Sequence, residues 1–217
     1  MATLKRSGQD RATRRRAQIL DAAYRVFADK GFAEATIADI ARDLGVGHGT
    51  FYRYFQNKHD IFDHVVDEVI GRVTGAIADE SPTATDCLAD YRAQVRRIAE
   101  KLLGLLDADR RAAKLLFVEA WGVSPALDRK MQQMWRLFGQ VTAAYLENGK
   151  QKGFLRADLD TETTGLAVNA MIFEGGRQVV LAEGASGPGS PEHVPLPPRQ
   201  RWIDGVTALM FDGIRGD

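Results

Sequence analysis

The sequence predicts an all-α protein, with a small N-terminal three-helix unit followed by a larger helical body. Apolar residues recur at spacings of three and four in segment after segment, and no segment alternates with period two, so no sheet is expected. The stretch from Thr36 to Lys58, TIADIARDLGVGHGTFYRYFQNK, encodes two short helices joined by a glycine turn. With 217 residues, 45% of them hydrophobic, the chain can bury a sizeable core.

The first helix carries Ile19, Ala22, Ala23, Val26 and Phe27 on one face, and Gly31 after Asp29-Lys30 reads as its stop. Thr36 stands three positions before Asp39, the spacing of a capping box. Ile37, Ile40, Ala41 and Leu44 follow as one apolar face. Gly45 is the left-handed stop, Val46 plugs the turn, and Gly47 caps the next helix more weakly than Ser would.

That third helix is expected over 48–55, with Phe51 and Phe55 one turn apart as its buried anchors. Gly49, Thr50 and Arg53 point the opposite way, and Tyr52 and Tyr54 flank the buried stripe. In a helix-turn-helix, the start of the second helix meets base edges in the major groove. Here that start is His48-Gly49-Thr50. Gly49 lets backbone approach a base, and the Thr50 hydroxyl and methyl suit a phosphate, a base or thymine. Tyr52, Tyr54 and Lys58 can donate to phosphate. Alternatives stand beside these roles: the tyrosines as core aromatics, His48 as a solvated helix start, Gly49 as relief of crowding.

The residues from Ile19 to Phe62 closely resemble the TetR family of bacterial transcriptional regulators. Gly31-Phe32, Thr36, Ile40-Ala41, Gly45-Val46, Gly49-Thr50-Phe51-Tyr52, Tyr54-Phe55 and Lys58 all fall in that family's register. The family often has Ser where this chain has Gly47, which removes a hydroxyl that could cap the helix or touch phosphate. The resemblance implies that Thr36, Thr50, Tyr54 and Lys58 hold phosphates, while His48, Gly49, Tyr52 and Arg53 face bases. It also implies that the last two helices pair with their copies as a four-helix bundle. An effector pocket would lie among the middle helices and alter the separation of the two DNA-reading heads.

Formal charge is zero over the whole chain, yet residues 1–60 carry 11 Lys/Arg against 7 Asp/Glu, and the remainder 18 against 22. A basic end on an acidic body fits a DNA-binding head on a body that does not bind DNA. The division expected is a flexible basic arm over 1–12, a helix-turn-helix domain over 13–58, and an effector-binding and dimerisation domain over 59–217. For the basic tail through Arg14-Arg15-Arg16, solvated disorder and phosphate or minor-groove contact both stand. The single cysteine, Cys87, excludes an intrachain disulfide and fits a reducing cytoplasm. No run of about 18 apolar residues suggests a membrane span.

In the body, Ile61, Phe62, Val65, Val66, Val69 and Ile70 continue from head to body, and Ser81-Pro82 breaks that helix. Further helices follow over 88–105, 110–121, 127–145, 161–183 and 202–213, with a Gly/Pro-rich linker over 184–198. One short recognition helix reads few base pairs. Two copies about a two-fold axis would read half-sites roughly 34–36 Å apart, so a homodimer on a pseudo-palindromic double-stranded operator is expected. Ala170, Gly176, Trp202, Val206, Leu209 and Met210 are the expected dimer contacts. Trp121, Met134, Trp135, Phe138, Asn169, Phe173 and Glu174 are the candidates for an apolar or amphipathic small-molecule effector. Asn169 and Glu174 interrupt an apolar segment and need partners if buried, either a ligand or a dimer-interface hydrogen bond. The reading is a ligand-responsive repressor without metal or cofactor. Two rivals are a helical protein-interaction module that has lost DNA binding, and an enzyme working in an aromatic cavity. No P-loop, GxSxG, HExxH or CxxC motif supports the latter.

Overall fold

A computed structural model describes residues 2–184 and 199–214, all of their regular structure helical. The elements are α1 (Ala2–Lys30), α2 (Ile37–Leu44), α3 (His48–Phe51), α4 (Lys58–Ala76), α5 (Leu88–Ala108), α6 (Arg110–Lys114, running into a π turn Leu115–Glu119), α7 (Pro125–Gln151), α8 (Thr161–Gly184) and α9 (Arg199–Ile214). No strand occurs among the described residues.

Two expectations change. The segment foreseen as an arm over 1–12 is helical from Ala2 as the start of α1, and no proline interrupts it. The third helix stops at Phe51 instead of reaching Phe55. Beyond it the backbone tightens: the N–H groups of Tyr54 and Phe55 both bond the Phe51 carbonyl, at 2.9 and 3.1 Å. The tightening returns Phe55 to the core, where it and Phe51 are almost wholly enclosed. The linker expected over 184–198 lies outside the described residues beyond Gly184.

One apolar core runs from head to body. The α1 stripe (Ile19, Ala23, Phe27) meets Ile40, Phe51 and Phe55, then the α4 stripe from Ile61 to Val69. The far end of the same core is formed by Leu115, Leu116 and Phe117 with Leu127 and Met131 of α7. A second cluster joins Tyr91 of α5, Tyr145 and Leu146 of α7, Leu155, Leu159, and Phe211 of α9.

α7 and α8 approach closely because two glycines face each other. A Cβ on Gly165 would lie 2.6 Å from the Gly139 carbonyl oxygen and 2.9 Å from the Ala143 nitrogen. Asn169 ties the same pair, donating to Thr142 Oγ1 at 2.8 Å and to the Phe138 and Gly165 carbonyls at 3.3 and 2.8 Å. Gly165→Ala should therefore push α8 off α7 and destabilise the protein by about 1–3 kcal/mol. Gly71→Ala in α4, where an added Cβ meets nothing within 4 Å, should be neutral or stabilising by up to about 1 kcal/mol. Urea titration of the two variants would show midpoints moving in opposite directions.

Candidate functional site

The face expected to read DNA is built on α2 and α3. Thr36 completes the capping box: its Oγ1 accepts from the Asp39 N–H at 3.1 Å, while Asp39 Oδ2 accepts from the Thr36 N–H at 3.0 Å. Lys30, at 2.7 Å, and Thr36 hold the Asp39 carboxyl far below its ordinary range. Gly45 closes α2 in the left-handed region (φ 68°), and the Val46 N–H bonds the Ala41 carbonyl at 3.0 Å.

From that turn α3 presents its tip. Gly47, His48, Gly49, Tyr52 and Arg53 are exposed, and Thr50 is half-buried. Gly47 supplies no side-chain cap, in keeping with the hydroxyl missing there, and its carbonyl accepts the Thr50 N–H at 2.9 Å. Tyr52 is 58% exposed with its ring edge-on to buried Phe51, so an anchored residue carries a free one beside it. Tyr54 is half-buried against the core. Arg16 of α1 stands 4.9 Å over the Phe55 ring, adding positive charge next to α3.

Two expected phosphate ligands have other work. The Thr36 hydroxyl donates to Asp39 Oδ2 at 2.7 Å while accepting the cap bond. Lys58 donates to the carbonyls of Phe32, Ala33 and Ala35 at 2.8, 3.2 and 3.0 Å, and lies 4.4 Å over the Phe32 ring. An ammonium has three donors, and all three are spent inside the fold.

The expected effector residues divide. Phe173 is met edge-on by Phe117, Trp121 and Trp135, with ring centroids 5.1, 5.6 and 4.8 Å away. Two cavities, of about 250 and 230 Å3, share Trp121 and Phe173 as walls. Phe117, Val118 and Arg177 complete the first; Gln132, Trp135 and Arg136 complete the second. Met134 belongs to the buried core, and Phe138 packs against that core without lining either cavity. The Asn169 amide donates to α7, so its partners in this subunit are the Phe138 carbonyl and Thr142 Oγ1. Glu174 is not a buried group in search of a ligand: Arg177 grips it through two hydrogen bonds, Gln178 adds another, and these hold its carboxyl down at about 2.

Of the expected dimer contacts, Ala170 and Leu209 are exposed. Gly176 faces inward, where a Cβ would lie 2.8 Å from the Phe117 ring, and Met210 is buried within the subunit. The side chains of Trp202 and Val206 lie outside the described residues. Phe117, Val118, Gln132, Arg136 and Arg177 line the cavities without having been among the expected residues. Phe117 and Trp121 are both on one short apolar segment, and Arg177 follows Phe173 by one turn, a spacing that could have flagged it.

Lys58→Ala should lower stability by about 1.5–3 kcal/mol in the absence of DNA, because three carbonyls lose a charged donor. A lysine held only for phosphate would leave the urea midpoint unchanged. Tyr52→Ala should leave the midpoint in place and alter DNA preference.

Residues 19–65 match the family model for bacterial regulatory proteins, tetR family. The HTH-type transcriptional regulator TtgR of Pseudomonas putida is 30% identical over 172 residues, spanning 77% of this chain and 80% of that protein. The fatty acid metabolism regulator protein of Bacillus subtilis (strain 168) is 29% identical over 160 residues, 72% of this chain and 79% of that one. The fold matches that of FadR from Bacillus subtilis in complex with stearoyl-CoA, with a TM-score of 0.67, 23% identity, and coverage of 92% of this chain and 99% of that chain. With its trihelical head, exposed α3 tip and helical body, this chain belongs to the tetR family of bacterial regulatory proteins and is a helix-turn-helix, DNA-binding transcriptional regulator, not an enzyme.

Proposed function

We propose that two copies of this chain repress transcription in the cytoplasm from an inverted-repeat operator, and release it when an amphipathic anion enters the cavities around Phe173. The reading of DNA rests on the α3 tip, where His48, Gly49, Tyr52 and Arg53 stand clear of a core that fixes Phe51 and Phe55 beneath them. Thr50 and Tyr54 border that tip and supply hydroxyls for phosphate. Residues 13–58 form the reading unit, and 59–217 the sensing and pairing body. Pairing is supported by the apolar side chains that one subunit leaves exposed on α8 and α9: Ile172, Val179, Leu181 and Leu209.

The effector class follows from the lining. Four aromatic rings and Val118 offer an apolar bed; of the two guanidiniums in the walls, Arg177 is already paired with Glu174, and Arg136 is the one that Glu174 does not engage. An apolar body with an anionic end fits that combination. The stearoyl-CoA held by the Bacillus subtilis FadR structure is a molecule of this kind.

Selection of bound duplexes from a random pool by purified protein tests the DNA reading. An inverted repeat with half-sites about one helical turn apart is expected. If the dimer neutralises about 6–10 phosphates, affinity should fall roughly 10³–10⁵-fold between 50 and 200 mM salt. A single unrepeated site, or no enrichment, would remove the proposal. For the effector, dodecanoyl-CoA should weaken operator binding by about 5–150-fold, the usual span of allosteric coupling. Dodecanol, with the same chain and no charge, should do much less. Equal potency of the two would show that the guanidiniums play no part.

A further inference from the structure

The π turn Leu115–Glu119 faces two ways. On one side Phe117 and Val118 form walls of the cavity that also contains Trp121. On the other its last residue, Glu119, reaches 87 positions back along the chain, and its carboxylate accepts the Phe32 N–H at 2.9 Å. Gly31 permits this approach: a Cβ there would lie 3.1 Å from both Glu119 carboxylate oxygens, and its φ of +81° already favours glycine. Lys114, at the other end of the turn, donates to the Ala28 carbonyl at 2.7 Å and stands 3.7 Å from Glu119. Arg111 pairs with Asp29 through two hydrogen bonds of 2.9 and 3.1 Å.

The residue that Glu119 holds is the one Lys58 holds from the opposite side. The Phe32 N–H goes to the body and the Phe32 carbonyl goes to the first residue of α4. The loop containing Phe32 leads directly into the Thr36 cap of α2 and thence to α3. One peptide segment is therefore gripped by the sensing wall and by the reading unit at once.

We infer that Glu119 is a positioning residue that couples occupancy of the Phe117–Trp121 cavity to the orientation of the DNA-reading unit, through its hydrogen bond to the Phe32 amide. The inference rests on the DNA-binding reading above and specifies how that site is regulated. A π turn has a neighbouring α-helical register. Here the Ala120 N–H bonds the Leu115 carbonyl five residues back, at 2.9 Å, instead of four. A guest that displaces Phe117 or Val118 and shifts this register rotates the end of the turn by about one residue's step, roughly 100°. That swing carries the Glu119 carboxylate away from Phe32. Coupling is reciprocal, so fixing the head on DNA must be felt at the cavity wall.

Reciprocity permits a test without an identified effector. The chain has three tryptophans, and replacing Trp135 and Trp202 with Phe leaves Trp121 as the sole one, excited selectively beyond the tyrosine absorption band. Titration with the selected operator should give a saturable change in Trp121 emission that tracks DNA binding followed by anisotropy. Glu119→Ala should still bind operator but lose that emission change. Glu119→Gln, which keeps a carbonyl acceptor for the Phe32 N–H, should retain it. Hydrogen exchange on the unsubstituted protein gives a second measurement: peptides covering 115–122 should change protection when operator is added. Operator binding with neither Trp121 nor segment 115–122 responding would overturn the inference alone, as would an undiminished response in Glu119→Ala. A protein that binds no duplex would overturn the DNA-binding reading, and this inference with it.

Discussion

Between the end of α1 and the start of α2, the carbonyls of Phe32, Ala33 and Ala35 point to one place and are met there by a single ammonium, that of Lys58. Orphaned carbonyls in a half-buried loop are expensive, and a charged donor shared among three of them is a compact remedy. The position of Lys58 as first residue of α4 makes the arrangement directional, because it fixes where α4 leaves the head. Arg25 on α1 bonds both Asp21 and Asp43, which sets α2 against α1. The angle at which α3 is presented is the sum of these attachments, since a four-residue helix has too few bonds of its own to define one.

The body obeys a different constraint. α7 and α8 form its most extensive packing, and they come together at glycines, with Asn169 stitching the gap by donating to α7. Further along the same seam the small residues give way to bulky rings, where Trp135 meets Phe173 and Trp121 joins them. The second apolar cluster anchors α9 through Phe211 against Tyr91, at 5.7 Å between centroids. Met210 is buried as a consequence, while Leu209 faces outward.

What could be read from the sequence was what is local. The Thr36–Asp39 box, the Gly45 stop and the alternation of Phe51 and Phe55 depend on residues within a turn or two of one another, and each occurs where the spacing places it. The role of Lys58 could not be read in this way, because its acceptors lie 23–26 positions away and are backbone atoms without a sequence signature. The π turn is hidden for a related reason: Leu-Leu-Phe-Val-Glu would suit an α-helix equally well, and the contacts at its two ends are with Ala28 of α1 and Phe32 of the following loop, more than 80 residues earlier. Asn169 stands out in the sequence as a polar residue within an apolar segment, but composition does not say that α7 provides its partners. The cavity residues were half legible. The rings stood out as an aromatic group, but the arginines beside them resembled any solvated pair.

Gly176 gives the cavity beside Phe117 an unusual kind of adjustability. The Phe117 ring sits in a notch on α8 that exists only because position 176 carries hydrogen where other residues carry carbon. Filling that notch would displace the Phe117 ring and reshape the space open to a guest, without changing the identity of any lining residue. Selectivity for molecular size can thus be retuned from behind the wall, by a change that leaves the contact chemistry untouched.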